Sequence, residues 1–348
     1  MSTDRSIWVI GDIHGMLDPL VVLLNTIRSV EYMREQRATL VFLGDYIDHG
    51  PCSREVVDAL LELRREFAVV FLAGNHEDML MQFMEPDPGL EDYGKAWFVG
   101  NGGQATVCSF MNQRSVLAKL WMHSTDTQGF TAADLKLDRK YVEFLHGLAY
   151  AHTEDLRVGE QSLRLAFSHA SLYRRSDCRL QPHPEDPDIS VQEQLAVKTR
   201  QDFQALVRRH PMWLDNYHIW NREIPRQKFG HLVLVHGHTP TSIIDTIHPG
   251  RLPGFDPTSN LPLVIFPGGR AVPVRLSEGE VRYGAALRDA ISINIDTGGV
   301  YGHALTAVNF CSQRLREDRR VGVIQVHPGW THRDFGACSR FHLQFSGL

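Results

Sequence analysis

The amino-acid sequence predicts an α/β fold. Three observations carry that reading: strand and helix patterns alternate through the first 80 residues, the strands are short apolar runs rich in β-branched residues, and several of them end in glycine or a small residue followed by Asp, Asn or His. A βαβαβ series of this kind predicts parallel pairing with right-handed crossovers. Open α/β sheets gather ligands at the carboxyl ends of their strands, where the connecting loops surround a crevice. The polar residues that end these runs therefore stand where a site would be built.

Residues 7–10 predict the first strand, and Asp18-Pro19 then opens a helix as N-cap and first helical position, with Leu20, Leu23, Leu24 and Ile27 as its apolar stripe. Residues 39–43 give the second strand. Ser53 is placed to cap the next helix, which buries Val56, Val57, Leu60, Leu61 and Leu63. Residues 68–72 form the third strand, and Gly74-Asn75-His76-Glu77 leads into a helix through Met79, Leu80 and Phe83. From 85 to about 150 the pattern loosens into helical patches near 93–98, 104–111 and 138–148, which suggests an inserted helical cap. Strands resume at 163–167 before Ser168-His169-Ala170. An acidic, proline-rich loop at 181–188 precedes a helix of about 20 residues over 191–209. Residues 232–235 form a strand running into His236-Gly237-His238-Thr239. A loop-rich segment follows over 249–273, then a strand at 291–295 that ends in Asp296-Thr297-Gly298-Gly299. Short strand-like runs occupy 305–310, 321–326 and 341–345.

Composition narrows the function classes. A length of 348 residues buries a substantial core and leaves room for up to about two domains. A formal charge of −5 offers no electrostatic footprint for nucleic acid or an anionic membrane. The cysteines at 52, 108, 178, 311 and 338 have neither CxxC nor zinc-site spacing and read as reduced thiols of a cytoplasmic protein. No apolar run approaches the ~18 residues of a membrane span, and the polar start at 1–6 does not resemble a signal peptide.

The 18 histidines concentrate the chemistry. Gly11-Asp12-Ile13-His14-Gly15, Gly44-Asp45 with Asp48, Gly74-Asn75-His76, Ser168-His169 and His236-Gly237-His238 all follow apolar runs. One histidine after a strand is ordinarily a hydrogen-bonded loop residue. Five such endings in one chain point to a shared site. Carboxylate, imidazole and amide donors without thiolate suit a two-metal centre of the Mn, Fe or Zn type.

The order GDIHG, GDYIDHG, GNHE, SHA and HGHT resembles the calcineurin-like metallophosphoesterases, and more narrowly the phosphoprotein phosphatase branch with its bacterial serine/threonine or tyrosine phosphatases. The resemblance covers residues 7–300. It implies a four-layer fold, a β-sandwich flanked by helices, in a single domain over 1–348 with the insertion at 85–150. It also implies that Asp12, His14 and Asp45 hold a first metal ion and that Asp45, Asn75, His169 and His238 hold a second. A metal-bridging hydroxide would then attack phosphorus. His76 would protonate the leaving oxygen as general acid and Asp48 would orient it. Manganese is the first candidate metal, with iron and zinc as alternatives.

Phosphate binding departs from the pattern. The arginine of the family's DRG signature is His49 here, and histidine offers neither a bidentate fork nor a permanent charge. The substrate phosphate is expected to meet Arg222, His49 and Asn75, with looser affinity and an altered substrate preference. Arg222, in Ile219-Trp220-Asn221-Arg222, resembles the family's second phosphate-binding arginine; a surface arginine in a salt bridge is the plain alternative. His236, His248 and His303 read as structural, the Asn101-Gly102-Gly103 stretch as a loop over the site or a helix break, and Met79, Met81 and Met84 as core.

The resulting expectation is a metal-dependent phosphoric monoester hydrolase acting on phosphoprotein or a similar small phosphomonoester. A nucleotide hydrolase of the diadenosine tetraphosphatase type is the alternative, and the Asp45-Tyr46-Ile47-Asp48 spelling leans towards the phosphoprotein branch. A non-catalytic scaffold with this fold would be expected to lack ligands, and every expected ligand is in place.

Overall fold

Side chains alternate across a strand, so a strand buried on both faces must serve two cores. In β1 (Ser6–Ile10), Ile7 and Val9 enter one hydrophobic cluster while Trp8 and Ile10 enter another. The strand β2 (Ala38–Phe42) divides in the same way, with Val41 on one side and Leu40 and Phe42 on the other. The computed structural model describes residues 5–34, 38–88, 93–111, 131–178, 189–211, 217–252, 260–267, 270–274, 284–317, 321–328 and 342–346.

Two six-stranded sheets account for this double burial. The first has the order β12 (His342–Ser346), β11 (Gly322–His327), β10 (Leu305–Cys311), β1, β2, β3 (Ala68–Phe71), and the second β4 (His152–Val158), β5 (Gln161–Phe167), β6 (Leu232–His236), β9 (Ser292–Asn294), β7 (Leu263–Ile265), β8 (Ala271–Pro273). In the first sheet, β1, β2 and β3 (Ala68–Phe71) are parallel, as the alternating pattern predicts. The pairing is not parallel throughout. β10 (Leu305–Cys311) lies antiparallel beside β1, and β11 (Gly322–His327) and β12 (His342–Ser346) continue antiparallel outwards.

The second sheet opens with a hairpin of β4 (His152–Val158) and β5 (Gln161–Phe167), whose turn has Gly159 at φ 64°. Parallel partners β6 (Leu232–His236) and β9 (Ser292–Asn294) follow, then β7 (Leu263–Ile265) and β8 (Ala271–Pro273) antiparallel.

The sheets face each other. Ile7, Val9, Val41, Val308 and Phe310 of the first share a cluster with Leu165, Phe167, Val233, Val235 and Ile293 of the second. Over the outer face of the first sheet lie α1 (Leu17–Arg34) and α2 (Ser53–Leu63), whose Leu20, Leu23, Val56 and Leu60 pack with Trp8, Leu40 and Phe42. Joining that layer are α3 (Asn75–Met84), α4 (Gly94–Gly100), α5 (Gly103–Phe110) and α6 (Arg139–His146), through Met79, Trp97, Val107 and Phe144. The outer face of the second sheet is covered by Leu172, Ile224, Phe229, Ile244 and Leu252. The architecture is thus four layered, with the β-sandwich at its centre.

The single helix expected over 191–209 is two, α7 (Val191–Ala196) and α8 (Arg200–Arg209). The cause is local: Thr199 Oγ1 accepts the Asp202 amide at 3.1 Å while Asp202 accepts the Thr199 amide at 3.0 Å, a capping box that starts a new helix. The loop-rich segment 249–273 contains β7 and β8, three residues each, too short to register as periodicity. The proline-rich loop at 181–188 and Cys338 lie outside the described residues, and Cys52, Cys108, Cys178 and Cys311 form no disulfide among the described residues. Among the described residues no helix is long and apolar enough to cross a membrane.

Phe310 is fully buried between the sheets. Phe310→Ala should cost about 3–5 kcal/mol, measured by urea unfolding; a loss below ~1 kcal/mol would mean that the inter-sheet core is not where the fold gains its stability.

Candidate active site

The parallel strands β1, β2 and β3 of one sheet and β5 and β6 of the other bring their carboxyl ends together. The backbone there is bent into conformations L-residues seldom adopt: His14, Asp45, Asp48, His49 and His238 have φ of 48°, 52°, 73°, 59° and 68°. Left-handed backbone costs on the order of 1–3 kcal/mol per residue and persists only where neighbours enforce it. Glu77 supplies much of that enforcement. Its carboxylate accepts the amides of Asp45 (2.8 Å), Tyr46 (2.8 Å), Ile47 (3.2 Å) and Gly74 (3.0 Å), clamping the loop after β2 to the start of α3. The contact is too close for a side chain at 74, since a Cβ there would lie 2.0 Å from Asp45 Oδ1.

Within this frame, Asp12, His14 and Asp45 present ligand atoms within 4.8 Å of one another, and so do Asp45, His169 and His238. Asp45 belongs to both groups. The Asn75 Oδ1 lies 3.0 Å from His169 Nε2, beside the second. Backbone carbonyls fix the rings: His14 Nδ1 donates to Ile47 O (3.0 Å), His169 Nδ1 to Leu43 O (2.9 Å) and His238 Nε2 to Trp220 O (3.0 Å). The Nε2 atoms of His14 and His169 are each left 3.4 Å from Asp45 Oδ2. Metal-ligating imidazoles are oriented in this way, one nitrogen anchored and the other presented.

The electrostatics call for cations. Burial, with Asp296 and Asp45 nearby, pushes the Asp12 carboxyl well above its ordinary range, and burial raises Asp296 to about 6. Burial alone would raise Asp45 too, but His169 and His76 outweigh it and hold that carboxyl low. Burial holds His14 near 4, in the neutral form that ligates metals. Asp12 Oδ1 is buried with no hydrogen-bond partner among the described residues. An orphaned carboxylate oxygen beside two other carboxylates, with imidazole and amide donors and no thiolate, fits two divalent ions.

Next to these groups, His76 Nδ1 lies 2.7 Å from Asp48 Oδ2. Asp48 is fully buried and further held by Trp97 Nε1, donating to Oδ2 at 2.8 Å, and Thr106 Oγ1, donating to Oδ1 at 2.6 Å. Burial opposes protonation of His76, but Asp45 and the hydrogen bond to Asp48 prevail and raise it to about 9. Trp97 and Thr106 sit on α4 and α5, in the irregular stretch of sequence, where no motif marks them. Glu77 and Asp296 stand inside motifs, but only the fold shows what they touch.

His49 is half-buried, its ring centroid 4.9 Å from that of His14, 5.1 Å from His76 and 6.3 Å from Tyr301. The helix break at Gly102 packs against it: a Cβ at 102, where φ is 82°, would lie 2.6 Å from the His49 amide. Arg222 is exposed, with Nη1 donating to His238 O at 3.3 Å, so its guanidinium borders the second group. Buried His248 donates to Arg222 O at 2.7 Å and holds that turn. Asp296 turns the chain by accepting the Gly298 amide at 2.9 Å, and Met79 and Met81 are core.

This fold and this cluster of ligands define a metallophosphoesterase. The calcineurin-like phosphoesterase family model matches residues 5–268, and the chain belongs to that family. Among curated proteins, it is 32% identical over 90 residues to the asymmetrical bis(5′-nucleosyl)-tetraphosphatase PrpE of Oceanobacillus iheyensis, covering 25% of this chain and 36% of that protein. It is 35% identical over 99 residues to serine/threonine-protein phosphatase 1 of Salmonella typhimurium, covering 28% and 39%. The matched stretch thus spans little more than a third of these relatives. Among solved structures, a metallophosphoesterase from Sphaerobacter thermophilus aligns over 93% of this chain and 89% of its own at 16% identity (TM-score 0.42), and a cold-active protein tyrosine phosphatase over 91% and 75% at 13% identity (TM-score 0.47).

Since His76 is raised by its partners, its proton stabilises the fold fully below pH ~6.5, and that contribution is lost as pH rises through about 9. In metal-free protein, Asp48→Asn should lower the His76 titration by about 1–3 units, read from imidazole NMR shifts. An unchanged titration would contradict the pairing.

Proposed function

We propose that the chain is a dinuclear metal-dependent phosphatase hydrolysing phosphomonoesters, with phosphoprotein (Ser/Thr or Tyr) as its leading substrate class. The observation that carries this reading is the juxtaposition of an acid pair with the two ligand groups: His76 Nε2 lies 3.9 Å from Asp45 Oδ2 while its Nδ1 is bonded to Asp48. Asp12, His14 and Asp45 would hold one ion, and Asp45, Asn75, His169 and His238 the other, with manganese as first candidate and iron or zinc as alternatives. Two such ions, when bound, neutralise phosphate charge and lower the pKa of a shared water.

The chain's own residues supply the rest. His76, protonated at neutral pH, delivers its proton through Nε2 to the leaving oxygen. Asp48 keeps the ring aimed and stabilises the imidazolium until the proton leaves. Burial pushes the Asp48 carboxyl above its ordinary range, and the hydrogen bond to His76, with the Thr106 and Trp97 donors, works against that rise by favouring the charged carboxylate. Arg222 offers a permanent charge to a phosphate oxygen and His49 a single imidazole donor, a weaker grip than two arginine forks would give.

A second reading is hydrolysis of a dinucleoside polyphosphate. It is favoured by the alignment with bis(5′-nucleosyl)-tetraphosphatases, of which the Bacillus subtilis protein, 33% identical over 84 residues, is another. The two readings agree on the ions and on His76 and differ in the leaving group.

The test is hydrolysis by manganese-loaded protein of phosphoserine, phosphothreonine and phosphotyrosine peptides, diadenosine tetraphosphate and a phosphodiester. The leading reading expects the phosphopeptides to have the highest kcat/KM. A preference for diadenosine tetraphosphate of tenfold or more would transfer the assignment to the second. On the preferred monoester class, His76→Asn should lower turnover by about 10²–10⁴-fold for alkyl phosphates and far less for activated aryl phosphates. The alkaline limb of the wild-type profile should fall at or below pH 9, since ions on Asp45 offset the charge that raises His76. Equal losses on alkyl and aryl substrates would remove the acid role.

A further inference from the structure

A third group of ligand atoms overlaps the first metal group. His14, His49 and His76 present ring nitrogens within 4.8 Å of one another. Their rings meet edge to face, with centroids 4.9 Å apart for His14 and His49, 4.8 Å for His14 and His76 and 5.1 Å for His49 and His76. Two of the three already have the anchoring that ligating imidazoles need: Nδ1 of His14 is tied to Ile47 O and Nδ1 of His76 to Asp48, which leaves Nε2 of each as the donor atom. The third, His49, is set in place by its left-handed backbone and by Gly102 packed against its amide. The position is the one where the DRG signature has an arginine, which could ligate nothing.

We propose that His14, His49 and His76 form an inhibitory zinc site that competes with the working arrangement of the centre. Three imidazoles suit a borderline ion such as zinc far better than hard manganese, which prefers oxygen-rich groups; the Asp45 carboxylate borders the trio, its Oδ2 3.4 Å from His14 Nε2 and 3.9 Å from His76 Nε2. His14 has a single free nitrogen, so zinc held there withdraws it from the first metal group. Zinc also takes the lone pair of His76 Nε2, displacing the proton otherwise passed to the leaving oxygen. No bond of a substrate changes; the event is ligand exchange at two imidazoles. The inhibitory consequence rests on the dinuclear reading above, whereas the zinc site itself does not.

The experiment is a zinc chloride titration of manganese-loaded protein, with released manganese followed by the electron paramagnetic resonance signal of the free aqueous ion. Wild type, His49→Ala, His76→Ala and His303→Ala are compared. His49 and His76 belong to neither manganese group, and His303 stands outside the trio. The first manganese should leave wild type at a zinc concentration about tenfold or more below that needed for His49→Ala or His76→Ala, the scale expected when a site loses one of its imidazoles. His303→Ala should follow wild type. Coincident curves for wild type and His49→Ala would overturn the proposal, as would a shift in His303→Ala equal to that in His49→Ala. The dinuclear reading is judged separately, by the manganese released per chain when the starting protein is acidified. Two ions uphold it and fewer than two refute it, and in either case the dependence of zinc capture on His49 decides the present proposal.

Discussion

Asp45 is a carboxylate with 2% exposure, set in left-handed backbone at the end of a central strand, close enough to Asp12 and Asp296 to raise both. An ionised carboxylate in that position is destabilised by several kcal/mol unless other groups compensate. The compensation comes chiefly from His169 at 3.4 Å and His76 at 3.9 Å, with the His76 amide donating to Oδ1 at 3.2 Å. No single strand could provide these. Asp12, Asp45 and His76 come from the first sheet, His169 and His238 from the second, so the sandwich is the device that lets both sets of loops converge on one buried charge. Glu77 then fixes the loop geometry by absorbing three amides of the turn after β2, those of Asp45, Tyr46 and Ile47, and the Gly74 amide at the start of α3.

The segment over 85–150 is tied into this arrangement. Its α4 and α5 deliver Trp97 and Thr106 to the two oxygens of Asp48, and the Gly102 between them packs on His49. Helices that add apolar surface to the core thus also hold the Asp48 carboxylate that is hydrogen-bonded to His76. Substitutions in this segment can alter the Asp48–His76 pair without touching a motif residue.

Much of the site was legible because its residues travel in short motifs fixed to strand ends: Asp12 with His14, Asp45 with Asp48, Asn75 with His76. The structure brings these together, along with His169 and His238. The parallel half of the first sheet was legible for the same local reason, strand following helix. Its antiparallel half was not, because β1 pairs with β10 some 300 residues later and nothing in either strand names its partner. Nor was β4, whose polar HTEDLRV sequence suits an edge strand with few buried positions. The break at Thr199 was readable in principle, since Thr and Asp three residues apart are a capping signal, but the apolar spacing on either side hid it. Trp97 and Thr106 had no signal at all. Their roles follow from which face of a helix meets Asp48, a property of packing alone.

In the proposed centre one carboxylate, Asp45, organises two metal ions. Anomalous diffraction from a manganese-loaded crystal measures this directly. Two peaks about 3.5–4 Å apart are expected with the Asp45 carboxylate between them, one beside Asp12 and His14 and the other beside Asn75, His169 and His238. A single peak, or two peaks of which only one contacts Asp45, would contradict it.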